Sequence, residues 1–219
     1  MRPSTAIIAL LATVPLLAGA AESLPGHLRV PEGFVVQTLA QVPGARSMAL
    51  GERGTLFVGT QRGGTVYGVA DALGAAPRVL TVATGLKMPN GVAFRNGDLY
   101  VAEPDRVLRF EQVEARLGQP QSALVAVADL PTKGMLHSWK YLAFGPDGKL
   151  YVPVGAPCNI CNEPGFGLIL RMNPDGSGRE VVARGVRNSV GFTWHPRTGE
   201  MWFTDNGRDM LGDGLPPDE

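Results

Sequence analysis

The residue best suited to acid–base chemistry is His137, which lies in a loop segment directly before a predicted β-hairpin. Imidazole gains and loses a proton near neutral pH, so a histidine in a pocket can act as a general base. Arg187 and Asn188 occupy the same position before a later hairpin. Arginine offers a planar fork of N–H donors to oxygen acceptors. Taken singly, the histidine could equally be a surface or capping residue, and the Arg–Asn pair a surface turn.

Two further polar residues share this position in the chain. Arg46 precedes the first hairpin and Asn90 the second, just as His137 precedes the third and Arg187–Asn188 the fourth. Equivalent loops of a repeating fold converge at one rim, where residues distant in sequence build one site. We therefore predict that these residues line a common pocket.

The segment from Thr204 to Gly214 is rich in glycine and in oxygen donors. Asp205, Asp209 and Asp213, with the backbone carbonyls around Gly207, are ligands of the type that Ca²⁺ prefers. The spacing is not that of an EF-hand because no Glu closes the loop. A solvated Asp/Gly turn explains the segment equally well.

The two cysteines, Cys158 and Cys161, lie in the sequence P-C-N-I-C-N. A c-type haem site would need a histidine where Asn162 stands, and a structural zinc site would need a second cysteine pair. A thioredoxin-type redox site would need a βα context, which is absent from the pattern. In an oxidising compartment the pair is best interpreted as a structural disulfide.

The elements that must position these residues form a repeat. Each of four segments contains a short apolar strand, a glycine-containing turn and a second apolar strand, which is the pattern of a β-hairpin. The first apolar residues after the turns, Leu56, Leu99, Leu150 and Met201, are 43, 51 and 51 residues apart. A period of about 40–50 residues with several strands per unit is typical of β-propeller blades.

Additional strands between the hairpins bring each repeat to about four strands. They are predicted at Phe34–Leu39, Gly64–Ala70, Pro77–Thr84, Val107–Glu111, Leu124–Pro131, Gly167–Asn173 and Arg179–Arg184, with a short helical excursion at Gln112–Leu117. A β-sandwich would also contain many short strands, but not this regular self-similarity. We predict an all-β fold, a β-propeller of which about four blades are present.

Composition excludes several other classes. The 20 basic and 20 acidic residues balance, so a basic nucleic-acid-binding face is not expected. Low charge with ordinary apolar content argues against disorder. The 29 Gly and 18 Pro residues would repeatedly break a helical bundle. They fit the turns between short strands.

The first twenty residues have the pattern of a secretory signal peptide. Arg2 is followed by an apolar run from Ala6 to Ala18 and by an Ala18-Gly19-Ala20 cleavage site. A retained membrane anchor is the weaker alternative because a span needs about 20 apolar residues. We predict a signal peptide over residues 1–20, a propeller domain over 21–219, no stable membrane insertion and a periplasmic or secreted location.

Together these motifs resemble the soluble glucose/sorbosone (pyranose) dehydrogenases that depend on pyrroloquinoline quinone (PQQ). The matching pieces are His137, F-G-P-D-G at 144–148, R-G-x-R-N at 184–188 and T-D-N-G at 204–207. The resemblance extends from about Leu28 to Glu219. The combination is specific, whereas F-G-P-D-G alone occurs in many propellers.

The resemblance implies a six-bladed propeller that binds PQQ and Ca²⁺ at the channel mouth and oxidises a sugar. His137 matches the general base, which takes the hydroxyl proton as hydride moves to the quinone. Arg187 and Asn188 match the pair that contacts the quinone oxygens, and Gly207 and Arg208 match the positions whose carbonyls hold Ca²⁺. Arg46 and Asn90 are expected to contact the cofactor only because they hold the equivalent positions before the first and second hairpins.

The implied substrate is an aldose or a sugar-derived aldehyde, with an external quinone or cytochrome as electron acceptor. Ser138-Trp139-Lys140 follows His137 where the better-known members have glycines, which places the chain nearer the sorbosone/pyranose branch. One alternative is a Ca²⁺-dependent lactonase-like hydrolase that uses Glu103 and Asp205. Another is a non-catalytic binding propeller.

The length also bears on the expected architecture. After a signal peptide, the remaining residues hold at most four blades at the observed period. We therefore expect a fragment about two blades short of the six-bladed family, inactive or unstable alone.

Overall fold

A computed structural model describes residues 28–212 and residue 214. The predicted signal peptide, His27 and Asp213 lie outside these residues. The strands of the described part are β1 Ala45–Leu50, β2 Leu56–Thr60, β3 Val66–Ala70, β4 Arg78–Ala83, β5 Val92–Arg95, β6 Asp98–Ala102, β7 Val107–Phe110, β8 Leu124–Val127, β9 Ala143–Phe144, β10 Leu150–Val154, β11 Leu168–Met172, β12 Glu180–Arg184, β13 Phe192–Trp194 and β14 Met201–Phe203. A 3₁₀ helix, Val113–Arg116, lies between β7 and β8.

The chain divides into two compact units, Met1–Thr38 and Leu39–Glu219. In the described part of the first unit, the Phe34 amide donates to the Pro31 carbonyl at 3.1 Å. The second unit contains every strand named above. Within residues 28–212, we find no helix of the length and apolarity that a membrane crossing requires.

The strands form antiparallel meanders, the sheet type of a propeller blade. The first blade is β1–β4, the second β5–β8 and the third β9–β12, each four-stranded in sequence order, and β13 and β14 form a two-stranded sheet in the fourth. The fold is an all-β propeller, as the repeat predicted. All four predicted hairpins are formed, and the helical excursion is the 3₁₀ helix.

Apolar side chains pack between successive blades. Phe57 of the first blade stacks on Phe94 of the second with ring centroids 5.7 Å apart, and Tyr100 of the second blade meets Phe144 of the third edge-on at 5.0 Å. Each residue of β6 and β10 is buried because these strands have a sheet on both faces. In β14, by contrast, Trp202 is 63% exposed since no described sheet follows it.

One predicted strand is wrong. The segment Phe34–Leu39 is rich in residues of high strand propensity, yet the structure has no strand there. Strand propensity favours an extended backbone but does not determine whether a partner strand exists. No described strand pairs with this segment, and Val35 is 86% exposed.

Candidate functional site

Residues from the start of β1 and from the loops before the first strands of the other three blades meet at a cavity of about 340 Å³, here called the channel mouth. Arg46, predicted to lie before the first hairpin, is part of β1 itself because the strand begins at Ala45. Its lining consists of Ala45, Arg46, Ser47, Asn90, Trp139 and Val190. All four blades contribute to this lining. Arg46 and Asn90 lie together here with Trp139, whereas His137, Arg187 and Asn188, which were predicted to share one pocket with them, are not part of this lining.

Asn90, in the lining of the channel mouth, links three blades by hydrogen bonds. It is 5% exposed, accepts from Arg46 Nε at 3.3 Å and donates through Nδ2 to the Lys140 carbonyl at 3.1 Å. The next residue, Gly91, must be glycine because a Cβ there would lie 2.7 Å from the Lys140 oxygen. The second and third blades therefore approach at van der Waals distance.

His137 is held in one tautomer by its surroundings. The residue is 7% exposed, and its Nδ1 lies 2.7 Å from the Ala156 carbonyl oxygen. A carbonyl can only accept a hydrogen bond, so Nδ1 carries the proton and Nε2 keeps a lone pair. Neutral His137 is therefore configured as a base at Nε2.

The backbone of His137 is unusual for a non-glycine residue. Its φ of 52° lies in the left-handed region, which costs of order 1–3 kcal/mol and persists only where neighbouring structure enforces it. The residue packs directly on Gly155, where a Cβ would lie 2.7 Å from His137 Cβ and 2.9 Å from Asn188 Oδ1. Gly155 thus lets His137 and Asn188 pack against the same point.

Lys140 is a buried cation that sequence reasoning missed. It is 1% exposed, and its Nζ donates to the Ser138 carbonyl at 3.1 Å. Burial lowers the pKa of Lys140 to about 8, and the charge of Asp105 partly opposes this shift. A lysine in a loop is normally solvated, so no local pattern indicated its burial.

Arg187 and Asn188 are oriented by Asp205. Its Oδ2 accepts from the Arg187 amide at 2.9 Å and its Oδ1 from the Asn188 amide at 2.7 Å. Asn188 then lies beside Gly155 and His137, whereas the Arg187 guanidinium contacts the disulfide loop. The structure therefore brings Asn188, but not the Arg187 head group, next to His137.

The Arg187 guanidinium is extensively paired. Nε and Nη2 donate to Asn159 O and Oδ1 at 2.9 and 2.8 Å, and Nη1 donates to Asn206 O at 2.9 Å. Nη2 also contacts Asp209 Oδ2 at 3.1 Å. Asn159 was not among the residues singled out from the sequence, because its contact with Arg187 crosses between two loops.

Gly207 and Arg208 line a second cavity of about 560 Å³, together with Arg187 and the loop 159–167. Within residues 28–212, no three His, Cys, Asp or Glu side chains converge as metal ligands. Asp205 and Asp209 are bonded as described, and Asp213 is outside the described residues. A calcium site here would depend on backbone carbonyls, which are oxygen ligands of the kind that Ca²⁺ takes.

The loop on the other wall of this second cavity contains the cysteines. Cys158 and Cys161 are joined by a disulfide with a Cα–Cα distance of 5.5 Å. Asn159 is one of the two residues inside this small ring. The two cysteines therefore flank Asn159, which accepts hydrogen bonds from Arg187.

Glu103 is the counterpart of Asp205 in the second blade. It is 1% exposed, accepts from the Lys87 amide at 2.5 Å and pairs with Arg106 Nε. In both blades an acidic residue after the second strand holds the loop before the first strand. Both carboxylates therefore hold a loop in place by accepting hydrogen bonds from its backbone amides.

The chain is similar to known proteins both in sequence and in fold. No protein-family model matches the chain. An uncharacterised protein of Borreliella burgdorferi is 31% identical over 212 residues, covering 91% of this chain and 55% of that protein. An oxidoreductase (glucose dehydrogenase) of Thermus thermophilus is 25% identical with a TM-score of 0.59, over 74% of this chain and 58% of the other.

The PQQ-bound aldose sugar dehydrogenase of Streptomyces coelicolor is 20% identical with a TM-score of 0.61. The match covers 80% of this chain and 60% of that one. The chain therefore spans a little over half the length of the proteins that it matches. Its fold is that of PQQ-dependent sugar dehydrogenases.

Proposed function

We propose that this chain carries part of a PQQ-dependent oxidoreductase that oxidises an aldose or a sugar-derived aldehyde, of the sorbosone/pyranose type. The observation that carries the proposal is His137, which is buried beside Asn188 with its Nδ1 proton directed to the Ala156 carbonyl. The free lone pair on Nε2 suits removal of a proton from a sugar hydroxyl.

The channel mouth offers a polar set suited to a flat ring with carbonyl oxygens. The Nη groups of Arg46 donate to no acceptor among the described residues, and the Trp139 ring forms part of the wall. Arg46 and Asn90 of this lining would hold PQQ together with Asn188, which lies beside His137, and the remaining Nη1 proton of Arg187, which lines the second cavity. When bound, PQQ supplies the two-electron acceptor for the oxidation.

The remaining roles follow from the site and the predicted export. The carbonyls of Gly207 and Arg208 would hold Ca²⁺, and Arg187 keeps their segment in place. His137 receives the substrate proton at Nε2 while its Nδ1–H bond fixes the plane of the ring. We place the protein in the periplasm or outside the cell, with an external quinone or cytochrome accepting the electrons.

The lactonase alternative is less well supported by the contacts of its two required carboxylates. Glu103 is occupied by the Lys87 amide and Arg106, and Asp205 by the amides of Arg187 and Asn188. A carboxylate committed to backbone amides has fewer lone pairs left for a metal. The geometry therefore favours the oxidoreductase.

Reconstitution separates the two functions. The full chain is mixed with PQQ and Ca²⁺, and reduction of an artificial dye is followed with a panel of aldoses, in parallel with hydrolysis of sugar lactones. On this proposal the chain binds PQQ, which an absorbance titration detects, and any aldose-dependent dye reduction disappears without PQQ. Lactone hydrolysis that needs Ca²⁺ but not PQQ would instead establish the hydrolase.

A further inference from the structure

Between the disulfide loop and the fourth blade, one asparagine bridges two segments that are far apart in sequence. Asn159 Oδ1 accepts from the Asp209 amide at 2.9 Å, and Asn159 Nδ2 donates to the Asp209 carbonyl at 3.2 Å. The side chain thus satisfies both backbone groups of one residue, which fixes that residue's orientation.

Arg187 extends this clasp to the other side of Gly207–Arg208. Its guanidinium donates to two acceptors of Asn159, the backbone oxygen and Oδ1, and to the Asn206 carbonyl at 2.9 Å. Asn206 and Asp209 are the residues on either side of Gly207–Arg208. The pair is therefore held at both ends by contacts that converge on Asn159.

The disulfide explains how Asn159 can serve as an anchor. Cys158 and Cys161 close a ring that contains only Asn159 and Ile160. A covalent ring this small leaves the enclosed backbone few conformations, so Asn159 is presented in a fixed orientation although its loop lacks regular structure. The neighbouring Asn162 is exposed and makes no hydrogen bond to a described residue.

We infer that Asn159, presented by the Cys158–Cys161 ring, is a positioning residue that sets the carbonyl geometry of Gly207–Arg208. As a role toward Ca²⁺, this inference rests on the proposed function. As a mechanical coupling of the disulfide to residues 206–209, it stands on the hydrogen bonds alone. The disulfide then serves the site and does not merely stabilise a loop.

Amide hydrogen exchange of the full chain tests the coupling without any cofactor. Asn159→Ala removes the side-chain bonds, so exchange in a peptide covering 204–212 should become about tenfold faster. Asn162→Ala, in the same loop, should leave that peptide unchanged, and strand β6 should be unchanged in both variants. Equal exchange at 204–212 in wild type and Asn159→Ala would overturn the inference.

Two further measurements distinguish loss of the Asn159 hydrogen bonds from general misfolding of the Asn159→Ala variant. Asn159→Asp retains the acceptor for the Asp209 amide, so its exchange should stay nearer to wild type than that of Asn159→Ala. Reduction of the wild-type disulfide by a phosphine should accelerate exchange at 204–212 in the same direction. If reduction leaves that peptide unchanged, the disulfide has no part in the clasp.

Metal binding tests the link to the proposed site. Titration with Ca²⁺, followed by calorimetry, should give an affinity about tenfold weaker for Asn159→Ala than for wild type. Unchanged affinity in the variant contradicts the positioning role. If the wild type itself binds no Ca²⁺, the proposed function loses its metal site, whereas the exchange result still decides the coupling.

Discussion

The two sides of the site each contain a sheltered cation, but they accommodate it in opposite ways. Lys140, between the second and third blades, is 1% exposed and has one carbonyl partner, at Ser138. The side chain of Arg187, on the fourth-blade side, is 14% exposed and has four oxygen partners, one of them a carboxylate. Burial of a charge is costly unless paired contacts compensate it.

This difference in hydrogen-bond pairing indicates how each side affects the stability of the fold. The Lys140 side is tightly packed but electrostatically strained, since its cation would be better solvated in water. The Arg187 side is a satisfied polar network that fixes the loops around Gly207 and Arg208. We therefore expect the Lys140 side to lower the stability of the fold, and the Arg187 side to raise it while holding the Gly207–Arg208 segment in place.

The same substitution at the two cations should have opposite effects. Lys140→Met removes an undercompensated charge while keeping side-chain volume, so it should stabilise the protein at pH 7 by about 2–3 kcal/mol. Arg187→Met leaves the Asn159 and Asn206 carbonyls without donors and should destabilise by about 3 kcal/mol. Chemical denaturation at pH 7 measures both, and changes of equal sign would refute the contrast.

The effect of Lys140 should depend on pH in a defined window. Its pKa is lowered in the folded state from 10.5 to about 8, so the unfolded chain binds more protons between these values. The unfavourable contribution is therefore fully present below about pH 8 and fades as the pH rises towards 10.5. The stability difference between Lys140→Met and wild type should shrink over this interval, and a constant difference would show that Lys140 is not strained.

A matched glycine pair tests the packing on the two sides, with a smaller expected effect. Gly91 and Gly191 each precede the first strand of a blade, but only at Gly91 would a Cβ meet another blade, 2.7 Å from the Lys140 oxygen. Gly91→Ala should lower the free energy of unfolding by about 1–3 kcal/mol. Gly191→Ala, with nothing within 4 Å, should be neutral or slightly stabilising. Similar losses at both positions would contradict the asymmetry.

The sequence predicted what local patterns encode. Hairpins recur because strand alternation and glycine turns are local, so the blade period and the loop positions of Asn90 and His137 were accessible. The strand predicted at Phe34–Leu39 is wrong because a strand needs a hydrogen-bonded partner, which local strand propensity cannot identify. Local signals therefore determined the repeat but not every strand.

The side-chain network of the site was not accessible in the same way. Arg187 meets Asn159 through an irregular loop whose path no periodicity describes. The burial of Lys140 depends on contact between blades, and the Nδ1 proton of His137 depends on the Ala156 carbonyl. Such contacts follow from tertiary packing, whereas the sequence shows only that polar residues recur in equivalent loops.

The central claim is that His137, beside Asn188, acts as the base of a sugar oxidation. Its most direct test compares His137→Ala with His195→Ala, whose ring lies in an exposed turn and accepts from the amides of Arg197 and Thr198. With PQQ, Ca²⁺ and an aldose, aldose-dependent dye reduction should fall about 10²–10⁴-fold in His137→Ala and stay unchanged in His195→Ala. Turnover by His137→Ala at the wild-type rate would contradict the account.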